Sequence, residues 1–420
     1  MPAHAHLMNR RRALQSDSLA DLVARRRPGY TLEQAFYTDP EIFCHDVDCI
    51  YHGHWLLAGP TCRIPGVGDY FKYRIVNDEI IVIRDLDGGV RAFHNVCRHR
   101  GSAICLEEAG RARRLVCPYH AWTYDLDGSL CAARHLPDGL DTAALSLHPV
   151  AVRVVAGLIF VCLADAPPDF SQTAADLEVY LSPHGLERTK ICRRTVETIR
   201  ANWKVVVENF WECYHCAPTH PEFCSVMSYA HAQNNERLAE ERTEFEISWE
   251  SATRAAGRLV GKVTRREPSL HLGGRLPIRS GYLTQSRGGK PVAPLLGEYT
   301  TYDGGITSFT HLPLIWYVVA NDYAFLTRFT PIAPLETELE LIWLVRNTAV
   351  EDVDYDPDEV CWMWRETAAQ DKTICEDNQR GILSSRYQPG PYSKAEQSVE
   401  EFIEWYLREI SSEAIPPCGK

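Results

Sequence analysis

The chain has 420 residues, 45% of them hydrophobic and 24% charged, with a net charge of −12. That length allows two domains around a large core, and the composition is that of a soluble globular protein. An acidic balance excludes a nucleic-acid partner, which would need a basic surface, and no apolar run reaches the ~20 residues of a membrane span. Arg10-Arg11-Arg12 is followed by a polar, mixed stretch from Ala13 to Leu22 instead of the apolar core of a secretion signal, so a cytoplasmic location is expected. The fifteen cysteines are an odd number, and they read as reduced thiols buried as small apolar residues.

Residues 1–15 read as a disordered or partner-bound arm. Ser16 to Arg27 suits a short helix capped by Ser16 or Ser18, and Asp39-Pro40 starts another. From about Trp55 to Ala164 the pattern is short strands: Phe71–Val76, Ile80–Asp85 and Val90–Val96, the last two joined by a turn at Asp87-Gly88. Pro167-Pro168 marks a linker. A short helix near Ala174–Leu181 and a strand near Arg193–Ile199 follow. Asn202 then caps a helix expected over Trp203–Cys216, ended by Pro218. Residues 230–305 carry weak signals; Gly273-Gly274 and Gly288-Gly289 suggest exposed loops. Four strands, Ile306–His311, Ile315–Ala320, Tyr323–Thr330 and Glu338–Arg346, predict an antiparallel sheet with a tight turn at Asn321-Asp322. A long helix starts at Asp356-Pro357 and runs to about Arg380. A last helix begins at Ser393 with a capping box to Glu396.

Two loops of the β region carry Cys97-Arg98-His99-Arg100-Gly101 and Cys117-Pro118-Tyr119-His120-Ala121-Trp122. Two thiolates on one iron and two imidazoles on the other make a Rieske [2Fe–2S] centre. Neutral imidazoles leave less negative charge at the cluster than thiolates would, which raises its potential. The same four donors also fit tetrahedral zinc. The Pro118 turn, Gly101 and the surrounding strands favour the cluster.

On the predicted helix, Glu208, Glu212 and His215 fall at i, i+4 and i+7 and so share a face. His220 follows the Pro218 turn. Two histidines and one carboxylate, with open positions, make the facial triad of non-haem Fe(II) oxygenases. Asp371 is the candidate carboxylate, because it lies in the inward stripe Val360, Trp364, Thr367, Asp371, Ile374, where an unpaired charge would be costly. Glu376 and Asp377 are the fallback ligands. Cys213-x-x-Cys216 has the spacing of a redox or zinc pair. Its place in the middle of the expected helix, in a chain rich in cysteine, favours two ordinary thiols.

Both motifs, in this order, resemble the catalytic subunit of Rieske non-haem iron oxygenases, over about His54 to Gly390. The phrases His94-Asn95-Val96-Cys97-Arg98-His99-Arg100-Gly101, Glu212-Cys213-Tyr214-His215-Cys216, Gln379-Arg380-Gly381 and Tyr387-Gln388-Pro389-Gly390-Pro391-Tyr392-Ser393 resemble the subgroup acting on quaternary ammonium compounds. That subgroup includes glycine betaine and stachydrine demethylases and choline and carnitine monooxygenases. The resemblance implies an α+β chain: an N-terminal arm and helices over 1–53, an all-β Rieske domain over 54–166, and a helix-grip catalytic domain over 167–420, with an antiparallel sheet and long helices. It implies a [2Fe–2S] cluster on Cys97, His99, Cys117 and His120, and Fe(II) on His215, His220 and Asp371. It also implies a homotrimer, because the two centres within one chain lie too far apart, with Glu212 bridging the cluster of one subunit to the iron of the next. A separate flavin and ferredoxin-type NAD(P)H reductase would supply electrons, and a quaternary ammonium substrate and O2 would meet at the iron. Hydroxylation of an N-methyl group would give a carbinolamine that releases formaldehyde. A quaternary nitrogen has nothing to hydrogen-bond, so aromatic faces must recognise it, and Phe309, Trp316, Tyr317, Tyr323 and Phe325 are candidates. An aromatic-ring substrate is the alternative within the family. A simple electron carrier and a structural zinc protein are alternatives outside it.

Overall fold

The computed structural model describes residues 18–227, 236–266, 271–311 and 315–411; the arm expected over 1–15 lies outside them. The entry segment folds as α1 (Leu19–Ala24), α2 (Gln34–Thr38) and α3 (Pro40–Asp46). Ser18, one of the two caps the sequence offers, forms a capping box with Asp21 at α1, and Asp39 caps α3 with Pro40 in its first turn, as the sequence suggests.

Two sheets follow. The first is antiparallel, in the order β1-β10-β9-β4-β3-β2-β5. Its strands are β1 (Leu56–Pro60), β2 (Asp69–Ile75), β3 (Asp78–Arg84), β4 (Val90–His94), β5 (Ala109–Arg111), β9 (Pro149–Val155) and β10 (Leu158–Cys162). A small sheet of β6 (Leu115–Val116), β7 (Thr123–Tyr124) and β8 (Leu130–Ala132) sits within the same region. After α4 (Ser171–Leu181) comes the second large sheet, in the order β11-β17-β16-β15-β14-β13-β12. It comprises β11 (Thr189–Ile199), β12 (Gly261–Arg265), β13 (His271–Pro277), β14 (Gly305–His311), β15 (Ile315–Val319), β16 (Ala324–Ala333) and β17 (Glu336–Arg346).

This second sheet is covered on both faces, and the period of two assigns each residue to one of them. Phe325, Trp343 and Leu341 face the long helix α9 (Pro357–Ile382) and α5 (Trp203–Phe210). Phe309, Tyr317, Leu326 and Ile342 face the other way, onto Trp55, Leu158 and Phe160 of the first sheet's region. The chain closes with α10 (Gln397–Ile410), preceded by the Ser393–Glu396 capping box.

In the stretch with weak signals, one expectation is corrected and one element has no sequence reading. Gly273 and Gly274 form no exposed loop; they lie inside β13, paired with both β12 and β14. A Cβ on Gly273 would strike the Phe309 ring and one on Gly274 the carbonyl of Gly261, so close strand approach requires glycine at both places. The segment Glu236–Ala255 is a helix of 20 residues, α8 in chain order after the short α6 (Cys216–Thr219) and α7 (Pro221–Val226). Among its described side chains only Trp249 and Thr253 are buried, which leaves almost no apolar period to read.

Candidate metal centres

The β4–β5 and β6–β7 connections carry the first donor set. Cys97 and Cys117 are buried. His99 and His120 are exposed, with ring centroids 4.6 Å apart, and His99 stacks on Trp122 at 4.8 Å. Backbone turns hold the loops: Gly101 N–H donates to Cys97 O, and Ala121 N–H to Cys117 O. Gly101 and Ala121 both take positive φ there. The donors are thus sorted, sulfur inside and nitrogen outside. That suits a two-iron cluster with an inner thiolate-bound iron and an outer imidazole-bound one better than a single zinc with four equivalent donors. Tyr124, which sequence reading overlooked, adds a hydroxyl 3.4 Å from Cys97 Sγ and accepts the Arg98 N–H at 3.1 Å.

The second set is built around α5. Asn202 caps it, accepting the Lys204 N–H at 3.0 Å. Lys204 pairs with Asp46 from the end of α3, and both side chains are fully buried. Asp46 also accepts from Trp203 Nε1 at 3.0 Å and from the Tyr406 hydroxyl of α10 at 2.7 Å. The N- and C-terminal helices therefore fix α5 in place.

The helix expected over Trp203–Cys216 ends at Phe210. The Glu212 carboxylate accepts the backbone N–H groups of Tyr214 and His215, which a continuing helix would have bonded to its own carbonyls. Glu208, Glu212 and His215 accordingly share no helical face; His215 reaches the site from a turn. The same turn brings Cys213 and Cys216 together as a disulfide, so the expectation of reduced, unpaired thiols fails for these two.

The turn delivers both imidazoles to one carboxylate. His215 Nε2 lies 3.3 Å and His220 Nε2 3.0 Å from Asp371 Oδ1. Asn209 Nδ2 donates to the same oxygen at 2.7 Å. On the far sides of the rings, His215 Nδ1 meets Glu212 Oε1 at 2.5 Å and His220 Nδ1 meets Gln370 Oε1 at 2.8 Å. Gln370 in turn donates to Glu222 at 2.8 Å. These acceptors fix hydrogen on both Nδ1 atoms and turn both Nε2 lone pairs toward an acidic oxygen. Three acceptors facing one another, with His220 and Asp371 almost fully buried, call for a cation between them. The charge balance agrees. Burial opposes a charge on His215, yet Asp371 and Glu212 outweigh it and raise its pKa to about 9, so without a metal ion a proton takes that role. Burial likewise works against the Asp371 carboxylate, but the two imidazoles hold its pKa below the ordinary value. Two imidazoles and a carboxylate fit mononuclear Fe(II). The fallback ligands are engaged elsewhere, Glu376 with Arg200 and Asp377 with Arg380.

A cavity of about 70 Å³ adjoins these groups, lined among others by Phe210, Phe223, Trp316 and Trp364. Of the five aromatic residues picked from sequence, Trp316 lines it and Phe325 backs Trp364, stacked at 5.0 Å. Phe309 and Tyr317 lie on the opposite face of the sheet, and Tyr323 is buried with its hydroxyl on the Gln285 carbonyl. Phe210, Phe223 and Trp364 were missed because they come from three helices with no common period.

Residues 54–144 match the Rieske [2Fe–2S] domain, and residues 176–412 match the ring hydroxylating alpha subunit (catalytic domain). The chain is 37% identical over 408 residues to the glycine betaine monooxygenase oxygenase subunit of Chromohalobacter salexigens, covering 94% of this chain and 89% of that protein. It is 38% identical over 393 residues to the protein of that name from Pseudomonas aeruginosa, covering 92% and 90%. The fold is similar to that of the quaternary ammonium Rieske monooxygenase CntA solved with an inhibitor, with a TM-score of 0.71, 24% identity and 94% and 99% coverage. Naphthalene 1,2-dioxygenase with bound indole gives a TM-score of 0.66 at 22% identity, covering 92% and 93%. With each donor set lying inside its matched segment, the chain belongs to the Rieske non-haem iron oxygenases, as a catalytic alpha subunit that uses a [2Fe–2S] cluster and a mononuclear iron.

Proposed function

We propose that this oxygenase hydroxylates a C–H bond beside a quaternary nitrogen and so N-demethylates a betaine-type substrate. The aromatic cavity beside the His215–His220–Asp371 cluster carries this reading. Its described lining includes four aromatic rings and the carboxylates of Glu212 and Asp371, and no lysine or arginine. Aromatic faces and negative charge are what attract a trimethylammonium group. The names of the relatives point to the same class.

His215, His220 and Asp371 would hold the iron, and Cys97, His99, Cys117 and His120 the cluster. Bound iron supplies dioxygen activation. One oxygen atom enters the substrate and the other leaves as water, with two electrons and two protons consumed. A hydroxylated N-methyl group then loses formaldehyde. Electrons would come from a separate reductase and cross between subunits of a trimer. Glu212 suits that crossing, because it lines both the inner cavity and an outer cleft of about 260 Å³ bounded by Glu208, Asn378, Tyr392 and Glu396. The exposed His99 and His120 would dock at such a cleft.

The test is turnover of the iron-loaded enzyme with a competent reductase on a panel of betaines and aromatic acids, assayed for formaldehyde. Stoichiometric formaldehyde from a betaine is expected. Hydroxylated aromatic acids without formaldehyde would overturn the reading.

A further inference from the structure

Cys213 and Cys216 line the cavity beside the iron-ligand cluster and are bonded to each other. The Cys216 sulfur and the donor nitrogens of His215 and His220 all lie within 4.8 Å of one another. No other described cysteine lines this cavity; the twelve others are free thiols, and Cys97 and Cys117 among them belong to the cluster. A bridge between residues three apart closes a very short loop, where the stabilisation expected from a cross-link is smallest. Stability alone therefore explains the pair poorly, and its position beside an oxygen-activating centre explains it better.

We propose that Cys213 and Cys216 form a reversible dithiol–disulfide couple that consumes hydrogen peroxide generated in this cavity. Oxygen reduced by two electrons and two protons without a substrate to hydroxylate yields hydrogen peroxide at the sulfur pair. The Cys216 thiolate attacks one peroxide oxygen, the O–O bond breaks, and protonation of the leaving oxygen releases water, giving a sulfenic acid. The Cys213 thiol then displaces the hydroxyl from that sulfur, forming the S–S bond and a second water. In sum, two thiols and one peroxide give one disulfide and two waters. A cellular or added dithiol restores the thiols by exchange and is itself oxidised to a disulfide. Cys216 is assigned the attack because its sulfur is the one placed among the imidazole nitrogens. Cys213, the less buried of the two, resolves the intermediate.

The experiment uses the iron-loaded full chain, reduced with dithiothreitol and desalted, with both thiols shown by alkylation and peptide mass spectrometry to be free. One equivalent of hydrogen peroxide is added in one arm. Reductase, NADH and O2 without organic substrate are supplied in the other. The expected result is loss of alkylation at Cys213 and Cys216 ahead of the other cysteines, reversed by dithiothreitol. Cys213→Ser, which must keep the cluster's visible spectrum to count as folded, should instead accumulate sulfinic or sulfonic acid at Cys216. A pair that resists reduction, or one that stays alkylatable while other cysteines oxidise, would overturn the proposal. The peroxide arm needs no turnover, so its outcome is independent of the substrate assignment.

Discussion

Glu212 Oε1 sits 2.5 Å from His215 Nδ1, and the same carboxylate ends the helix that brings it there. One side chain thus shapes the turn, orients an imidazole toward Asp371 and opens onto the outer cleft. Glu212→Gln keeps the size and an amide oxygen to accept from Nδ1, but removes the charge. Both metal centres should remain while oxidation of the reduced cluster by substrate and oxygen slows by ~10–100-fold, the range for losing an outer partner of a metal ligand. Single-turnover absorbance of the cluster reads this, and a normal rate would contradict it. A fully active monomer at assay concentration would contradict the inter-subunit route.

Asp371→Ala removes the oxygen on which His215, His220 and Asn209 converge. The variant should keep its red-brown cluster colour and lose the mononuclear iron together with turnover. Metal analysis against the visible spectrum checks it; retained mononuclear iron with activity would move the ligand elsewhere.

Cys97→Ser or His120→Ala should abolish the cluster's visible spectrum and its reduced-state paramagnetic signal. Tyr124→Phe is subtler. A hydrogen bond to the cluster sulfur stabilises the more negative, reduced state, so losing it should lower the midpoint potential. The shift should be roughly 50 mV, given ~59 mV per tenfold change for one electron. Redox titration of the bleached visible band would measure it.

His184, His271 and His311 are buried where burial outweighs what any nearby carboxylate offers a charge. Burial lowers the His184 pKa to about 3 and that of His271 to about 4, and holds His311 well below its ordinary value. The nearest acid to His271, Asp176, is 4.0 Å away, while His271 and His54 both disfavour a charge on His311. The unfolded chain binds protons at these sites below pH ~6.5 and the folded chain does not. Stability should therefore fall as pH drops from about 6.5 toward 4, with each site costing up to about 1.4 kcal/mol for every tenfold rise in proton concentration. Urea midpoints across that window would show it, and His271→Gln should flatten the slope.

Asp46 is the sole described carboxylate in contact with the buried Lys204 ammonium. Asp46→Ala should cost about 3–5 kcal/mol, since it strands a buried charge. Lys204→Met in addition should recover much of that loss. Denaturant unfolding of both variants tests it.

The sequence by itself supplied the candidate donors. Cys97, His99, Cys117, His120, His215 and His220 are legible because they cluster in short motifs, and Asp371 because a carboxylate in an inward helical stripe needs a partner. It also determined the capped helix starts and four strands of the catalytic sheet, where apolar alternation is strong. Tertiary structure decided the rest. The helix stops at Phe210 because the Glu212 carboxylate takes backbone N–H groups that propensity assigns to helix. Helix α8 and strand β13 form where packing fixes a charged helix and two glycines that local pattern leaves ambiguous. Which aromatic rings meet the cavity depends on sheet face and helix packing, so Trp364 and Phe223 line it while Phe309 and Tyr317 do not. A residue's neighbours across the chain are set by the packed core, and no local sequence period records them.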